Sequence, residues 1–570
     1  MPEARANETQ VQYHRRRAEE LKRVRQPWES TWSGLADFVA PHRLRLEAAD
    51  ERAISRKRIL DPSGTFAWRT LASGMHSGLT SPARPWFRFA TTDPELREWG
   101  PVKLWVDEVE SIERRMFQRS NVYPAFHEGY GDIGLFGQSC GILIEGGDDP
   151  LHMIQLLHGR FWIARDAEGR ATTLYRMLRW SVEKIVRRFG LETISSSVRS
   201  AYDAGRYDQT FDIWHAIEPR FNRDPQKIDK RNKPFLSNYW EANGNSGAKS
   251  SESGLLEESG FDSNPIICPP WLICGDDSYA QSPGMDSIGD VKSLQAMVRD
   301  KLEVIAKLAR PPLQGPTSLN GNPMSLLPGA ITFVDDPTGK GLRPVMEASP
   351  QIGPLLQDIN ETRQRINSGF YADLFLMLAN MEGVQPRNQF EIAERKEEKL
   401  LALGPVLENI YNNQLEPCVD RAFEIGLKRN LFPPPPREIQ NQRLAVEYIS
   451  TLAQAQKAVA TGAVERLVSF AGQWAAMKPE VLDKLDADQS IDVYADMIGA
   501  PAAIVVPDDK VQEARQARAQ QQQQAQMAQM AKTVAPAILA GADAVKAGKD
   551  AGIDPAAAQQ LMAQLGMGGG

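Results

Sequence analysis

The stretch Met285-Asp-Ser-Ile288-Gly-Asp-Val291-Lys-Ser-Leu294-Gln-Ala-Met-Val298-Arg-Asp-Lys-Leu302-Glu-Val-Ile305-Ala-Lys-Leu308-Ala-Arg310-Pro-Pro312 decides how this chain is read. Ile288, Val291, Leu294, Val298, Leu302, Ile305 and Leu308 recur at steps of three and four, one face of an α-helix, while Asp290, Lys292, Arg299, Lys301 and Lys307 fall off that stripe. The helix stops at Arg310-Pro311-Pro312, because proline lacks a backbone donor and pushes the preceding residue out of the α region.

Outward from that stop, Gly315-Pro316, Asn320-Gly321-Asn322-Pro323, Pro328-Gly329, Asp335-Asp336-Pro337 and Gly339-Lys340-Gly341 are turn chemistry, with one strand-like run over 330–334. A second helix then carries Leu356, Ile359, Ile366 and Phe370 at helical spacing. Two helices flanking a segment that cannot be helical predict a stalk with a small lobe at its end. An apolar loop follows, Leu374-Phe-Leu-Met-Leu-Ala-Asn-Met381, then Glu382-Gly383 and Pro386; it falls well short of the roughly 20 residues that span a bilayer. Asn388 and Glu391 have capping-box spacing for the next helix, and Glu391 stands four before Arg395.

At 570 residues the chain holds several structural regions, and 42% hydrophobic with 24% charged residues is ordinary for a protein with a sizeable core. Residues 1–20 are polar and charged with no apolar signal core, so a cytosol-like compartment is expected. A net charge of −7 argues against a dedicated nucleic-acid clamp, though not against an acidic wall past which DNA slides. Cys140, Cys268, Cys274 and Cys418 lack zinc or redox spacing and read as buried free thiols.

Taken in order, residues 5–25 read as one helix and Pro27-Trp28-Glu29 opens a second, with Trp32, Leu35, Ala36 and Val39 on one face, ending at Pro41. Helices are expected at 61–79, 95–119, 123–136, 182–189 and 193–204. Strands are expected at 85–89, 140–145, 151–157, 160–164, 172–178, 211–217 and 235–241, an α+β body. The loop with Arg220, Arg223, Lys227, Lys230, Arg231 and Lys233 reads as a solvated hairpin tip, with a nucleic-acid or partner contact as the alternative. A long helix over 389–430 should kink at Pro405 and Pro417; beyond Pro433 to Pro436 a second helical region is expected over 443–500. From Asp508 the composition turns to Gln, Ala and Met, a tail that is helical if it packs on copies of itself.

The motifs that would carry chemistry fail on context. Gly129-Tyr-Gly131-Asp-Ile-Gly134 matches a dinucleotide fingerprint, but a helix precedes it and a strand follows, the reverse of the required order. Gly339-Lys340 lacks the rest of a P-loop, so ATP-driven work would belong to a partner. Ser139-Cys140 with His127 reads as a helix end entering a strand, and Asp148-Asp149, Asp276-Asp277 and Asp335-Asp336 are adjacent turn residues without metal-ligand spacing. No catalytic group, cofactor site or metal site is expected.

Several segments carry a resemblance. They are Leu71-Ala-Ser-Gly-Met-His-Ser-Gly-Leu-Thr-Ser-Pro82 with Pro85-Trp86-Phe87; Leu135-Phe136-Gly137 running into a strand that ends at Glu145; and Tyr279-Ala-Gln-Ser-Pro-Gly-Met-Asp286 with Asp290-Val-Lys-Ser-Leu-Gln295. Met477-Lys-Pro-Glu-Val-Leu-Asp483 and Ile498-Gly-Ala-Pro501 complete them. In this order, over nearly the whole chain, they resemble the portal, or head-to-tail connector, proteins of short-tailed bacteriophages. Ala280 stands where that family often has glycine, and Asn388 where Thr or Ser commonly caps the long helix.

The resemblance implies a mainly α protein with an α+β wing, in the portal fold of wing, helical stem, clip, helical crown and C-terminal barrel or tail, assembled as a twelve-subunit ring around a DNA channel. Residues 1–284 would be the N-terminal wing region, 285–309 and 351–370 the stem, and 310–350 the clip. Residues 371–387 would be the tunnel loop, 388–436 the long wing helix, 437–507 the crown and 508–570 the barrel or flexible tail. Leu374, Phe375, Leu376, Met377, Asn380, Met381, Glu382 and Arg387 would lie nearest the DNA, with Lys292, Arg299, Lys301, Lys307, Arg363 and Arg365 on the stem and channel. Gln314, Asn320, Asn322, Lys340 and Arg343 would meet the packaging motor and later the tail adaptor.

The partners so implied are other copies of the chain, double-stranded DNA passed without regard to sequence, terminase, tail adaptor or nozzle proteins, major capsid and scaffold proteins, and internal core or ejection proteins, with no membrane. The place is the portal vertex of the virion, after assembly in the host cytoplasm. The competing readings are an internal virion or scaffold-type assembly protein, which has no need of a stalk and lobe, and a nucleic-acid enzyme, which would need a carboxylate constellation the sequence does not offer.

Overall fold

The computed structural model describes residues 8–46, 58–91, 99–227, 229–243, 254–309, 313–314, 343–344, 352–379, 403–439 and 444–449, with short pieces between 467 and 525. It divides into two compact units, Met1–Ala463 and Val464–Gly570. The first is mainly α-helical with a mixed α+β region built from antiparallel sheets.

α1 (Gln10–Phe38) is one helix where the sequence predicts two. Thr9 and Gln12 form a capping box at its start, and Pro27 lies inside it. The missing donor at Pro27 removes one hydrogen bond. Leu21 and Arg25 on one side, and Trp32 and Leu35 on the other, are buried on the body and carry the helix across the gap. α2 (Ser63–Leu79) follows, then β1 (Phe87–Thr91), α3 (Gly100–Arg119) and α4 (Val122–Phe136). Gly137, at φ +91°, closes α4 in the left-handed conformation that glycine adopts freely.

The strands β2 (Gly141–Glu145), β3 (Leu151–Gln155), β4 (Phe161–Arg165) and β5 (Ala171–Ser181) come next. Two short helices, α5 (Val182–Phe189) and α6 (Ser196–Asp203), precede β6 (Thr210–Pro219) and β7 (Phe235–Glu241). β8 (Glu257–Phe261) and β9 (Ile266–Ile267) have no strong alternation of apolar and polar residues, and the sequence did not announce them. β4 to β8 form a five-stranded antiparallel sheet in sequence order; β3, β2 and β9 form a three-stranded one.

The main core gathers α1, α2, α4 and the three-stranded sheet around residues such as Trp32, Leu71, Tyr130 and Phe136. Across it run α7 (Pro283–Ala309) and, beyond the residue pairs β10 (Leu313–Gln314) and β11 (Arg343–Pro344), α8 (Ile352–Gly369). α9 (Ala372–Ala379) then packs on α2, and α10 (Gly404–Ile410), a π-helical turn (Tyr411–Leu415) and α11 (Glu416–Lys428) complete the body.

Pro405 starts α10 instead of kinking a longer helix, since a missing donor costs little in a first turn. The break before Pro417 takes the form of the π turn, which opens the ladder by one residue where the proline cannot donate. Residues 389–402, with the Asn388/Glu391 cap, lie outside the described residues, as does the strand-like run 330–334. The start of the helical region expected over 443–500 is instead β12 (Leu444–Tyr448), paired antiparallel with β1 from Phe87↔Tyr448 to Thr91↔Leu444. In the second unit, helical turns lie at 470–474, 511–512 and 514–525, and Arg515 is paired with Asp488 at 2.6 Å and 2.7 Å.

Candidate functional site

The stalk is the feature on which a function can be built, and its two helices are anchored by polar side chains. Gln295 on α7 reaches the turn before α2: its Oε1 accepts from the backbone of Leu60 (2.7 Å) and Asp61 (2.9 Å), and its Nε2 donates to the Asp61 carbonyl (2.9 Å). The guanidinium of Arg363 on α8 donates twice to Asp61 Oδ2, at 2.7 Å and 3.2 Å. Against the cost of burial, hydrogen bonds from Ser63, together with that cation, hold the buried Asp61 carboxyl below its ordinary pKa. Sequence reasoning missed Gln295 and Asp61; the only signal was a glutamine beside the apolar stripe.

Arg365 pairs with Asp290 on α7 at 3.2 Å and donates to the Thr362 hydroxyl, tying the two stalk helices together. Lys292 lies over the Phe38 ring, 5.9 Å from its centre, and Lys307 pairs along its own helix with Glu303 at 2.7 Å. Arg299 is exposed and Lys301 partly so. The six stem cations therefore divide. Arg363 and Arg365 fasten the stalk, Lys292 lies beside α1, and Arg299, Lys301 and Lys307 project from its distal half.

The apolar stripe of α7 divides in the same way. Val291, Leu294 and Val298 are buried against the body, whereas Leu302 and Ile305 are 50% and 44% exposed. On α8, Ile359, Ile366 and Phe370 are buried and Leu356 is 43% exposed. β10 and β11 pair antiparallel, Leu313↔Pro344 and Gln314↔Arg343, so the chain leaves and re-enters the lobe side by side. Asn320, Asn322 and Lys340 lie outside the described residues.

After α8, Tyr371 takes a left-handed conformation (φ +55°) against Trp271 and turns the chain into α9. The segment expected as an apolar loop is thus helical over Ala372–Ala379. Leu374 and Phe375 are buried in the main core. A Cβ on Gly74 of α2 would come within 2.2 Å of the Phe375 ring, which is the close approach that requires glycine there. The start of the run is apolar because Leu374 and Phe375 pack inside their own subunit. Leu376 is exposed, Met377 lies in the helix, and Asn380, Met381, Glu382 and Arg387 are outside the described residues.

The glycines of the dinucleotide-like motif lie within α4, and two of them admit α2: a Cβ on Gly131 would meet the Trp68 ring and one on Gly134 the Leu71 side chain. His127 sits 3.3 Å from Ser73, not beside Ser139. Cys140 and Cys268 face each other where β2 meets β9, and Cys274 is exposed, contrary to the expectation that all four thiols are buried. The basic hairpin tip is largely matched by β8 and its end: Arg220 and Arg231 pair with Glu258, and Lys233 with Asp262. No group of three or more His, Cys, Asp or Glu among the described residues is placed to hold a metal ion, and no described helix is long and apolar enough to cross a membrane.

A mainly helical body, a two-helix stalk fastened to it, and a two-strand neck between the stalk helices are the setting for the comparison with known proteins. The family model for the bacteriophage head to tail connecting protein matches residues 12–505. The chain belongs to this family. As a connector it is a structural component of a phage particle. It is 40% identical over 501 residues to the portal protein of Salmonella phage epsilon15, covering 87% of this chain and 89% of that protein. It is 42% identical over 502 residues, with the same coverage, to the probable portal protein of Bordetella phage BPP-1. A chain from the virion of a native gene transfer agent particle aligns over 78% of the connector and 94% of its own length, at 12% identity and a TM-score of 0.28, too low to argue from.

Proposed function

We propose that the connector assembles as a ring of twelve copies at one capsid vertex and forms the axial channel through which the genome is packaged and later leaves. The observation that carries this reading is the half-covered stripe of the stalk. Val291, Leu294 and Val298 are satisfied within the chain, but Leu302, Ile305 and Leu356 continue the same faces and are left about half exposed by the described residues. Apolar positions that continue a helical stripe beyond the subunit's own core call for a neighbour. Copies related by rotation supply one, and a heterologous contact that closes gives a ring.

In this reading residues 285–309 and 351–370 are the stem, 310–350 the clip, 371–387 the tunnel region, 388–436 the long wing helix, 437–507 the crown and 508–570 the barrel or tail. The clip serves terminase first and the tail adaptor afterwards. Scaffold, major capsid and internal ejection proteins meet the outer and upper faces, and assembly takes place in the host cytoplasm. Leu376, Met377 and, outside the described residues, Asn380, Met381, Glu382 and Arg387 remain the tunnel positions nearest DNA. Leu374 and Phe375 act by holding α9 on α2. The double variant Leu302→Glu/Ile305→Glu tests the carrying observation: native mass should fall from the ring to the monomer with unfolding temperature little changed. Rings formed unaltered by that variant would remove the argument from the stripe.

A further inference from the structure

A cavity of about 1000 Å³ lies between the facing sides of the five-stranded and three-stranded sheets, closed at one end by α11. Its floor is Arg176 on β5, 5% exposed. The register sets Arg176 opposite His215 and His215 opposite Tyr239, so the three side chains form a row across β5, β6 and β7. Arg176 Nε donates to His215 Nδ1 at 2.9 Å, and Nη2 reaches the Tyr239 hydroxyl at 3.4 Å. With Nδ1 accepting, the His215 proton resides on Nε2, which donates to the Ser237 hydroxyl at 2.9 Å. The row is therefore a buried guanidinium held by neutral partners, with no carboxylate in ion-pair distance of Arg176 among the described residues.

A buried charge in that position is costly unless something of opposite sign comes to it. The rest of the lining does not supply it. Arg188 is spent on Glu257 (3.2 Å), Lys233 on Asp262 (2.8 Å) and Lys428 on Glu145 (3.2 Å). Glu424 accepts from the Ser263 hydroxyl. Lys184, which lies over the Trp180 ring, and Lys230 line the rim without a carboxylate partner among the described residues. We infer that this cavity is a binding site for a phosphate-class oxyanion carrying more than one charge, seated on Arg176 with Lys184 and Lys230 at the entrance. Dispersed cations around a space far larger than one carboxylate match a diphosphate better than a single charge, and a guanidinium presents paired donors to such oxygens. The inference stands apart from ring formation, and its test can be read on unassembled protein.

The test is thermal unfolding of the full chain with sodium pyrophosphate against sodium chloride at matched ionic strength, without divalent metals. Pyrophosphate should raise the unfolding temperature of the wild type. Arg176→Gln keeps a donor for His215 but not the charge; it should unfold at or above the wild-type temperature without anion and lose the response. The variant Lys184→Gln/Lys230→Gln alters exposed side chains only, and should bind pyrophosphate about tenfold more weakly. Short duplex DNA that displaces pyrophosphate would assign the phosphates to the genome, and failure to displace it would assign them to a free anion. An equal rise in Arg176→Gln, unchanged affinity in the double lysine variant, or a rise reproduced by chloride would overturn the site.

Discussion

Single glycines and buried acids carry much of the body's specificity. A Cβ at Gly137 would lie 1.9 Å from the Ala280 carbonyl oxygen, with φ at +91°, so both contact and conformation oppose any side chain. Gly137→Ala should cost about 3 kcal/mol or more, and Gly134→Ala, whose Cβ meets the end of the Leu71 side chain rather than backbone, about 1–3 kcal/mol. Denaturant unfolding of the two variants ranks them, and the reverse order would refute the argument. At the seat of α1, Asn238 donates to His14, His14 to Tyr175, and Tyr175 to Glu218. Burial pushes the Glu218 carboxyl up from 4.5 to about 7 and His14 down to about 3, so the close His14 and Glu218 pair is neutral rather than ionic near pH 6. The unfolded chain releases the Glu218 proton above its ordinary 4.5 and the folded chain holds it until about 7, so this group's stability contribution is intact below 4.5 and declines as pH rises to about 7. The decline amounts to about 3 kcal/mol, and Glu218→Gln should flatten the stability curve over that window. An unchanged pH slope in the variant would contradict it. None of this was legible in the sequence: His14, Tyr175 and Glu218 are far apart in the chain and ordinary in their local context. Gly129, Gly131 and Gly134 were visible as a motif, and rejecting the cofactor reading there needed only the order of helix and strand.

At the scale of elements, helices with a clear apolar period were legible and pairings at long range were not. The stalk helices were read from Ile, Leu and Val spacing, and the two apolar runs, Ile288 to Leu308 and Leu356 to Phe370, fall within α7 (Pro283–Ala309) and α8 (Ile352–Gly369) but for Phe370, one residue past the end of α8. β12 was missed because Leu444 to Tyr448 acquires strand character by pairing with β1, more than three hundred residues away. α9 was misread as a loop because so short an apolar run, ahead of Glu382-Gly383 and Pro386, has no period long enough to separate exposed from buried helix. The fastening of the stalk gives a direct prediction. Arg363→Gln leaves the buried Asp61 carboxylate without its cation and should destabilise the first unit by about 1–3 kcal/mol. Hydrogen exchange should show the loss concentrated at the start of α2 and in α8; uniform loosening of the body would count against an anchor. Because β10 and β11 bring the ends of the lobe together, replacing residues 315–341 by a short glycine-rich turn should leave ring formation intact and abolish docking of motor and adaptor. Normal docking by that variant would remove the clip from residues 310–350.

For the whole molecule, a net charge of −7 and a basic hairpin largely occupied by its own carboxylates leave little for a DNA clamp. Affinity for duplex DNA should be weak, independent of sequence and abolished by moderate salt, as a conduit requires. Tight, sequence-specific retention in a gel shift would contradict that. The sequence resemblance named the family, and the identity to the two phage relatives bears it out; assembly could not be read from one chain's residues, because a ring resides in contacts between copies. The most direct test is single-particle imaging of the purified full-length protein. The account predicts closed rings of about twelvefold symmetry with an open axial hole, joined through the distal stalk where Leu302, Ile305 and Leu356 lie. A monodisperse monomer or dimer at high concentration, or rings joined elsewhere with those residues still bare, would contradict it.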